Sequence, residues 1–234
     1  MPLLQTNNLS ASYGLFRALF SVNLCIDEGE AVALIGSNGA GKTTLLKSIA
    51  GDLPSKPESV LLDGAQVGES PAYARVGHGV SLVPEGRRLF SSLTVEENLL
   101  LGQSSHRSGP WSLTRVYQVF PTLYELRRNM ARALSGGQQQ LVAIARALMG
   151  NPRLLLCDEI SLGLSPVASN QVHEALKVVL AEGVAILIVE QNIQKALKTA
   201  QRYYCMRKGE IMLDGRCADA DLEEISREYF GVYA

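Results

Sequence analysis

An α/β fold built around a mixed, mostly parallel sheet is what this 234-residue sequence predicts, and three observations predict it. A short apolar segment, Ala31-Val32-Ala33-Leu34-Ile35, runs into a glycine-rich turn and then into a helical stretch ending at Gly51. Two further apolar segments, Leu154 to Cys157 and Val184 to Val189, flank a helical pattern, the arrangement of a parallel sheet covered on both faces. The first sixty residues alternate strands and turns, whereas from about Thr94 the spacing becomes helical. An antiparallel β unit at the N-terminus and an inserted helical unit are therefore expected around the sheet.

Taken in order, Leu3 to Leu9 and Ala18 to Ile26 read as the first strands, with Asp27-Glu28-Gly29 turning into the strand at Ala31. Ser59 to Leu62 follows, closed by Asp63-Gly64. Thr94 and Glu97 form a capping-box pair ahead of a helix. Gly102 to Pro110 reads as a polar surface loop, and Trp111 to Arg132 as helical spacing broken by Pro121. Ser165-Pro166 is an N-cap and first-turn pair opening a helix that buries Val172, Ala175, Leu176, Val179 and Leu180 and stops at Gly183. A hairpin is expected over Tyr203 to Leu213 about Lys208-Gly209, and an amphipathic helix within Asp219 to Ala234.

The glycine-rich turn carries the clearest chemistry. Gly36-Ser37-Asn38-Gly39-Ala40-Gly41-Lys42-Thr43 fits G-x-x-x-x-G-K-[ST], with Thr44 following. A strand that delivers such a turn into a helix start aims backbone N–H groups and the positive end of a helix dipole at one point, a cradle for phosphate. Lys42 adds a charge for the outer phosphates, and the Thr43 hydroxyl is an oxygen ligand for Mg²⁺. A chance glycine-rich turn would not bring strand, turn and helix together in this order. The chain is expected to bind a nucleoside triphosphate. Its partner is the strand end Leu154-Leu155-Leu156-Cys157-Asp158-Glu159, where Asp158 would hold Mg²⁺ and Glu159 would polarise an attacking water.

Composition narrows the field. Of the residues 47% are hydrophobic and 19% charged, and the formal net charge of −1 argues against a broad electrostatic grip on nucleic acid. No apolar run reaches the ~18 residues that span a bilayer, and Met1-Pro2-Leu3-Leu4-Gln5 does not open a signal peptide, so a cytoplasmic chain drawn to a membrane only by a partner is expected. Cys25, Cys157, Cys205 and Cys217 form no C-x-x-C and read as small hydrophobes. His78, His106 and His173 lack metal-ligand spacing.

A second helix start lies about twenty residues before the Asp158-Glu159 strand end. Ser135-Gly136-Gly137-Gln138 combines a capping box with two glycines that leave N–H groups bare. In this setting the chain resembles the ATP-binding cassette (ABC) family over nearly its whole length. Ser135, Gly136, Gly137 and Gln138 match the family signature, Gly36 to Thr43 the Walker A loop and Leu154 to Asp158 the Walker B strand, and Tyr13 matches the aromatic that stacks on adenine. The segments Val83 to Phe90, Leu93 to Leu99, Ser161 to Pro166 and Val189 to Asn192 are similar to the ATP-binding subunits of bacterial branched-chain amino acid importers, and the related urea and amide importers share them.

The resemblance implies a P-loop NTPase of ABC type. Its core would span 1–83 and 142–234, and its helical, signature-bearing subdomain about 84–141. It implies ATP and Mg²⁺ as ligands and a second cassette paired head to tail, so that the signature acts on the partner's ATP. It further implies membrane permease subunits, a solute-binding protein acting indirectly, no nucleic acid, and a peripheral place on the cytoplasmic face of the membrane. The stretch from Glu85 onward would dock the permease. Four positions depart from the usual cassette pattern. Glu85 stands where most have glutamine, a carboxylate that would either contact Mg²⁺ and nucleotide or repel the γ-phosphate, and Gln191 replaces the switch histidine. Gln191 can donate to a γ-phosphate but cannot titrate, so no step in activity near pH ~6.5 is expected from it. Ile160 replaces a proline after the catalytic glutamate, which predicts a looser turn there, and Ser165 replaces an aspartate.

Overall fold

The computed structural model describes residues 1–105 and 107–231. Strands β1 (Leu4–Tyr13) and β2 (Phe16–Ile26) form a long antiparallel hairpin in which Tyr13 pairs with Phe16 across Gly14-Leu15. Both strands run further than the sequence predicts, and the Ser10 to Tyr13 segment is the end of β1. Gly14, at φ +59, permits the tight reversal. After β3 (Ala31–Ile35) comes α1 (Lys42–Ala50), and then the small hairpin β4 (Val60–Leu62) and β5 (Ala65–Gln66). Asp63 and Gly64 both take positive φ in that turn, while Ser59 belongs to the 3-10 turn before it. Helix α2 (Ala72–Gly77) and strand β6 (Val80–Val83) follow.

The helical segment contains α3 (Val95–Leu100), α4 (Leu113–Val119), α5 (Pro121–Glu125) and the start of α6 (Gly136–Leu148). The Thr94–Glu97 capping box opens α3 with both of its bonds made. Pro121 takes the first position of α5, where its missing N–H costs nothing, so it begins a helix rather than kinking one. In the stretch 102–110, read as a surface loop, Gln103 and Ser108 to Pro110 are exposed, while contacts at either end dock it to the body. Gly102 sits so close to α6 that a Cβ there would meet the Arg146 carbonyl oxygen at 2.0 Å. Asn151 ties the same stretch down, accepting from the Trp111 N–H (2.7 Å) and donating to the carbonyls of Arg107 and Trp111. His106 lies outside the described residues.

The chain closes with β7 (Leu154–Asp158), α7 (Pro166–Ala181), β8 (Ala185–Glu190), α8 (Ile193–Thr199), β9 (Arg202–Arg207), β10 (Glu210–Arg216) and α9 (Leu222–Phe230). Leu180 of α7 is only partly buried, while Ser169 and His173, which the apolar pattern did not include, are buried. Cys157 and Cys205 are buried, Cys25 and Cys217 half-buried, and all four are free thiols.

Two sheets result. One is antiparallel in the order β2-β1-β4-β5; the other has the order β10-β9-β3-β8-β7-β6, parallel from β9 to β6 with β10 antiparallel at its edge. Strands β3, β7 and β8 are buried on both faces, which is why they read as unbroken apolar runs. Alternate residues serve different cores. Leu154, Leu156, Leu187 and Val189 pack toward α1 and the antiparallel sheet, whereas Leu155, Cys157, Ile186 and Ile188 pack toward α3–α7. Helix α1 is thereby sandwiched between the sheets with its N-terminus at the carboxyl ends of the parallel strands. At its other end the fully buried Arg75 of α2 donates to the carbonyls of Ser48 and Ile49, and burial pulls that guanidinium down to about 10. Among the described residues no helix is long and apolar enough to cross a membrane.

Candidate functional site

The loop between β3 and α1 has the backbone its glycines require. A Cβ on Gly36 would meet the Met206 carbonyl oxygen of β9 at 2.4 Å, and Gly41, the N-cap of α1, sits at φ +106. No side chain caps α1 and no acidic residue stands in its first turn, so its leading N–H groups face outward unclaimed by any side chain. Lys42 is 4% exposed, and its Nζ donates to the carbonyls of Gly36 (2.7 Å) and Ser37 (3.1 Å). The same ammonium lies 3.4 Å from Glu159 Oε1.

Glu159 leaves β7 in a left-handed conformation, φ +46, a strained geometry for a residue with a Cβ. It is held by its N–H on the Val189 carbonyl (3.1 Å) and by Gln191 Nε2, which donates to Oε2 at 2.6 Å. At the position where a proline is missing, Ile160 is 2% exposed and packs in the core shared with α6 and α7.

Beside it, the Thr43 hydroxyl donates to Asp158 Oδ1 at 3.2 Å. Burial, with added negative charge from Glu159 and Glu85, holds the Asp158 carboxyl above the usual carboxylate range, against the opposing pull of Thr43 and Lys42. Glu159 thus faces the Lys42 ammonium, the charges of Asp158, Glu159 and Glu85 act on one another, and the Thr43 hydroxyl adjoins an Asp158 oxygen. That donor set fits a hard divalent cation such as Mg²⁺, whose remaining ligands would be phosphate and water. Among the described residues no group of three or more His, Cys, Asp and Glu side chains is placed to hold a metal.

A cavity of about 790 Å³ opens at this point. Of the residues singled out in the sequence, Tyr13, Asn38, Gly39, Gly41, Lys42, Thr43, Thr44, Glu85, Glu159 and Gln191 line it. Gly36 lies under the loop, Asp158 is buried behind Thr43, and Ser37 and Ala40 face a neighbouring cavity beside α9. Ser135, Gly136, Gly137 and Gln138 do not reach it. They form the start of α6, where the Ser135 N–H donates to Gln138 Oε1 (2.9 Å) and the Gln138 N–H to Ser135 Oγ (3.4 Å).

Six further lining residues were not foreseen: Phe16, Arg17, Ala18, Phe20, Leu162 and Lys208. Phe16 and Phe20 are exposed aromatics on β2 next to Tyr13, itself 46% exposed. Their spacing, with Ala18 between them, was the available signal, an apolar row on the solvent side of an edge strand. Tyr13, Phe16 and Phe20 give the cavity aromatic surface, with Arg17 over the Phe20 ring at 4.9 Å, and Lys42, Thr43, Glu85 and Glu159 give it charged and hydroxyl groups. Such a cavity takes a ligand with an aromatic base and a polyanionic tail.

Comparison with known proteins agrees. Residues 19–161, more than half of the chain, match the ABC transporter family. The chain is 40% identical over 213 residues to the high-affinity branched-chain amino acid transport ATP-binding protein BraG of Pseudomonas aeruginosa, covering 90% of this chain and 91% of that one. It is 29% identical to the lipopolysaccharide export system ATP-binding protein LptB of Haemophilus influenzae over 99% and 98% of the two chains. Among solved structures it is similar to a dimeric post-hydrolysis state of an ATP-binding cassette bound to ADP and Pi, with a TM-score of 0.78, 26% identity, and 92% and 98% coverage. Strand, phosphate loop and two-sheet core in the structure, and these likenesses in the sequence, lead to one conclusion: the chain belongs to the ATP-binding cassette family and is the ATP-binding, ATP-hydrolysing subunit of an ABC transporter.

Proposed function

We propose that this chain energises the import of branched-chain or chemically related amino acids, working on the cytoplasmic face of a membrane as one of two cassettes beneath a permease. The observation that carries the catalytic part is the gathering of Lys42, Glu159 and Gln191 at the open end of α1. Lys42 and the amides of Gly36 to Thr44 bind the phosphates, and Tyr13 stacks on the base. Thr43 and Asp158, with Glu85 nearby, hold Mg²⁺, which when bound screens the phosphate charge. Glu159 takes the proton of the attacking water, and Gln191 donates to the γ-phosphate oxygen. Ser135, Gly136, Gly137 and Gln138 act on the nucleotide of the second cassette, which accounts for their distance from this chain's own cavity. The helical unit of about 84–141 carries them and presents the segment after Glu85 to the permease. Helix α6 crosses the 141/142 boundary without a break and couples that unit to the core.

The amino acid assignment is supported by the 40% identity to a branched-chain amino acid subunit. Urea and amide importers share the segments on which it rests, so uptake by the reconstituted transporter must rank these solutes. A regulatory cassette is the second reading, favoured by one observation: both oxygens of Glu159 are already engaged, by Lys42 and by Gln191. Steady-state Mg²⁺-ATPase activity against protein concentration, beside Glu159→Gln, decides. A rate rising faster than linearly and lost in the variant means a working homodimer. Tight ATP binding without turnover means a cassette that needs an active sister.

A further inference from the structure

Strand β8 ends in two residues with different tasks. Leu187 and Val189 pack on the α1 side of the sheet, and Ile186 and Ile188 on the α7 side. The period of two therefore turns Glu190 toward α7, where it is 3% exposed. Its Oε2 accepts the Ser161 hydroxyl at 2.8 Å, and its Oε1 lies 3.4 Å from Nε2 of His173, 6% exposed on α7. Neither Oε1 nor Nε2 has a hydrogen-bond partner among the described residues. The other ring nitrogen, Nδ1, is 2.9 Å from the Thr199 hydroxyl, and that hydroxyl donates to the Lys195 carbonyl. With its own proton so committed, the hydroxyl accepts, and Nδ1 carries the N–H. Nε2 and Oε1 therefore face each other inside the core, paired at the ion-pair distance. The other polar and charged neighbours are Lys195, held on Ser169 Oγ at 2.7 Å, the buried Cys157 thiol, and Asp158 and Glu159 at the end of β7.

Ser161 is two residues beyond Glu159, and Glu190 is one before Gln191. The turn 159–161 is thus stitched to the strand end 189–191 three times in succession. The Glu159 N–H bonds the Val189 carbonyl, Ser161 bonds Glu190, and Gln191 bonds Glu159. We propose that Glu190, braced by His173, is a positioning residue that locks the turn carrying Glu159 to the strand end carrying Gln191. It touches no nucleotide itself, since it faces α7 rather than the cavity. The proposal rests on the reading of Glu159 as base and Gln191 as phosphate donor.

The test combines turnover at saturating Mg²⁺-ATP with hydrogen–deuterium exchange of the full chain, for wild type, Ser161→Ala, Glu190→Ala, Glu190→Gln and Glu159→Gln. Ser161→Ala and Glu190→Ala should each lower kcat roughly three- to tenfold, the scale of one lost hydrogen bond, with KM for ATP unchanged. Exchange should rise in residues 159–165 and stay at the wild-type level in 36–50. Glu190→Gln should keep wild-type kcat, because a carboxamide oxygen still accepts from Ser161 while its N–H₂ points at the His173 ring. Unchanged exchange at 159–165 in both alanine variants overturns the proposal, as does a loss carried by KM or a loss equal in Glu190→Gln and Glu190→Ala. Should Glu190→Ala fail to fold, Ser161→Ala, which deletes one oxygen, carries the same readouts. Failure of the underlying reading looks different: Glu159→Gln would then turn over like wild type while the exchange pattern held.

Discussion

Helices α1 and α6 both start on glycines, yet their N-termini are built in opposite ways. Helix α1 has a glycine N-cap in a left-handed conformation, no side-chain cap, and a lysine at its first position, where the helix dipole disfavours a cation. Helix α6 closes its own end through the reciprocal bonds of Ser135 and Gln138. The first arrangement is poor as a helix start and sound only as half of a site, because an anion is needed to complete it. The second is a satisfied helix end whose glycines let Leu164, Arg87 and Ala168 pack closely over it. Within one chain, therefore, the end that is locally worse is the end that lines the cavity. This is the pattern expected where stability is traded for binding.

Substitutions at the two ends should separate these roles. The largest effect is expected from Glu159→Gln, which removes the proton acceptor beside Lys42 and leaves the cradle intact. Turnover should fall about 10²- to 10⁴-fold while ATP affinity holds, measured by steady-state kinetics and calorimetric titration. Unaltered turnover would remove Glu159 from the chemistry. Lys42→Ala should come next, weakening ATP binding by roughly 10- to 100-fold through loss of a charge-assisted contact. The isolated chain shows this effect directly, since Lys42 lies in its own cavity.

At α6 the expectations concern stability and assembly. Gly137→Ala places a Cβ 2.8 Å from that of Ala168, so overpacking should cost about 1–3 kcal/mol in denaturant unfolding. Ser135→Ala should cost about 1 kcal/mol by the same measurement, the worth of an N-cap. ATP affinity of the isolated chain should not change in either variant, whereas turnover at concentrations that favour pairing should drop. A fall in monomeric ATP affinity with Ser135→Ala would place the signature in the chain's own site and erase the contrast between the two helices. The smallest effect is an absence: with Gln191 in place of a histidine, activity should show no step near pH ~6.5 from that position.

Much of this was legible in the sequence because the deciding interactions are short in range. A capping box spans three residues, and both predicted boxes are present with their bonds made. Alternation and unbroken apolar runs report whether one or both faces of a strand are covered, and β3, β7 and β8 are buried as their runs imply. The phosphate loop is itself a strand, a turn and a helix start in continuous sequence. Two details depended on distant contacts. The 102–110 stretch is exposed at Gln103 and at 108–110, as its polar composition implies, but Asn151 and the Arg146 carbonyl fix where its ends lie. Position 160 reads in the sequence as a missing proline, whereas in the structure Ile160 fills the core beneath the turn.

By itself, then, the sequence determined the fold class, the order of its elements, the phosphate loop and the two contrasting helix starts, since these follow from backbone conformation and hydrogen bonds between near neighbours. Only the tertiary structure decided that Phe16 and Phe20 join Tyr13 on one wall, that Lys42 meets Glu159, and that Glu190 turns its back on the cavity to reach His173 and Ser161. Those contacts join residues 17 to 117 positions apart or depend on which face of a strand meets which helix. Register and packing of the whole sheet settle such meetings, and no local pattern encodes them.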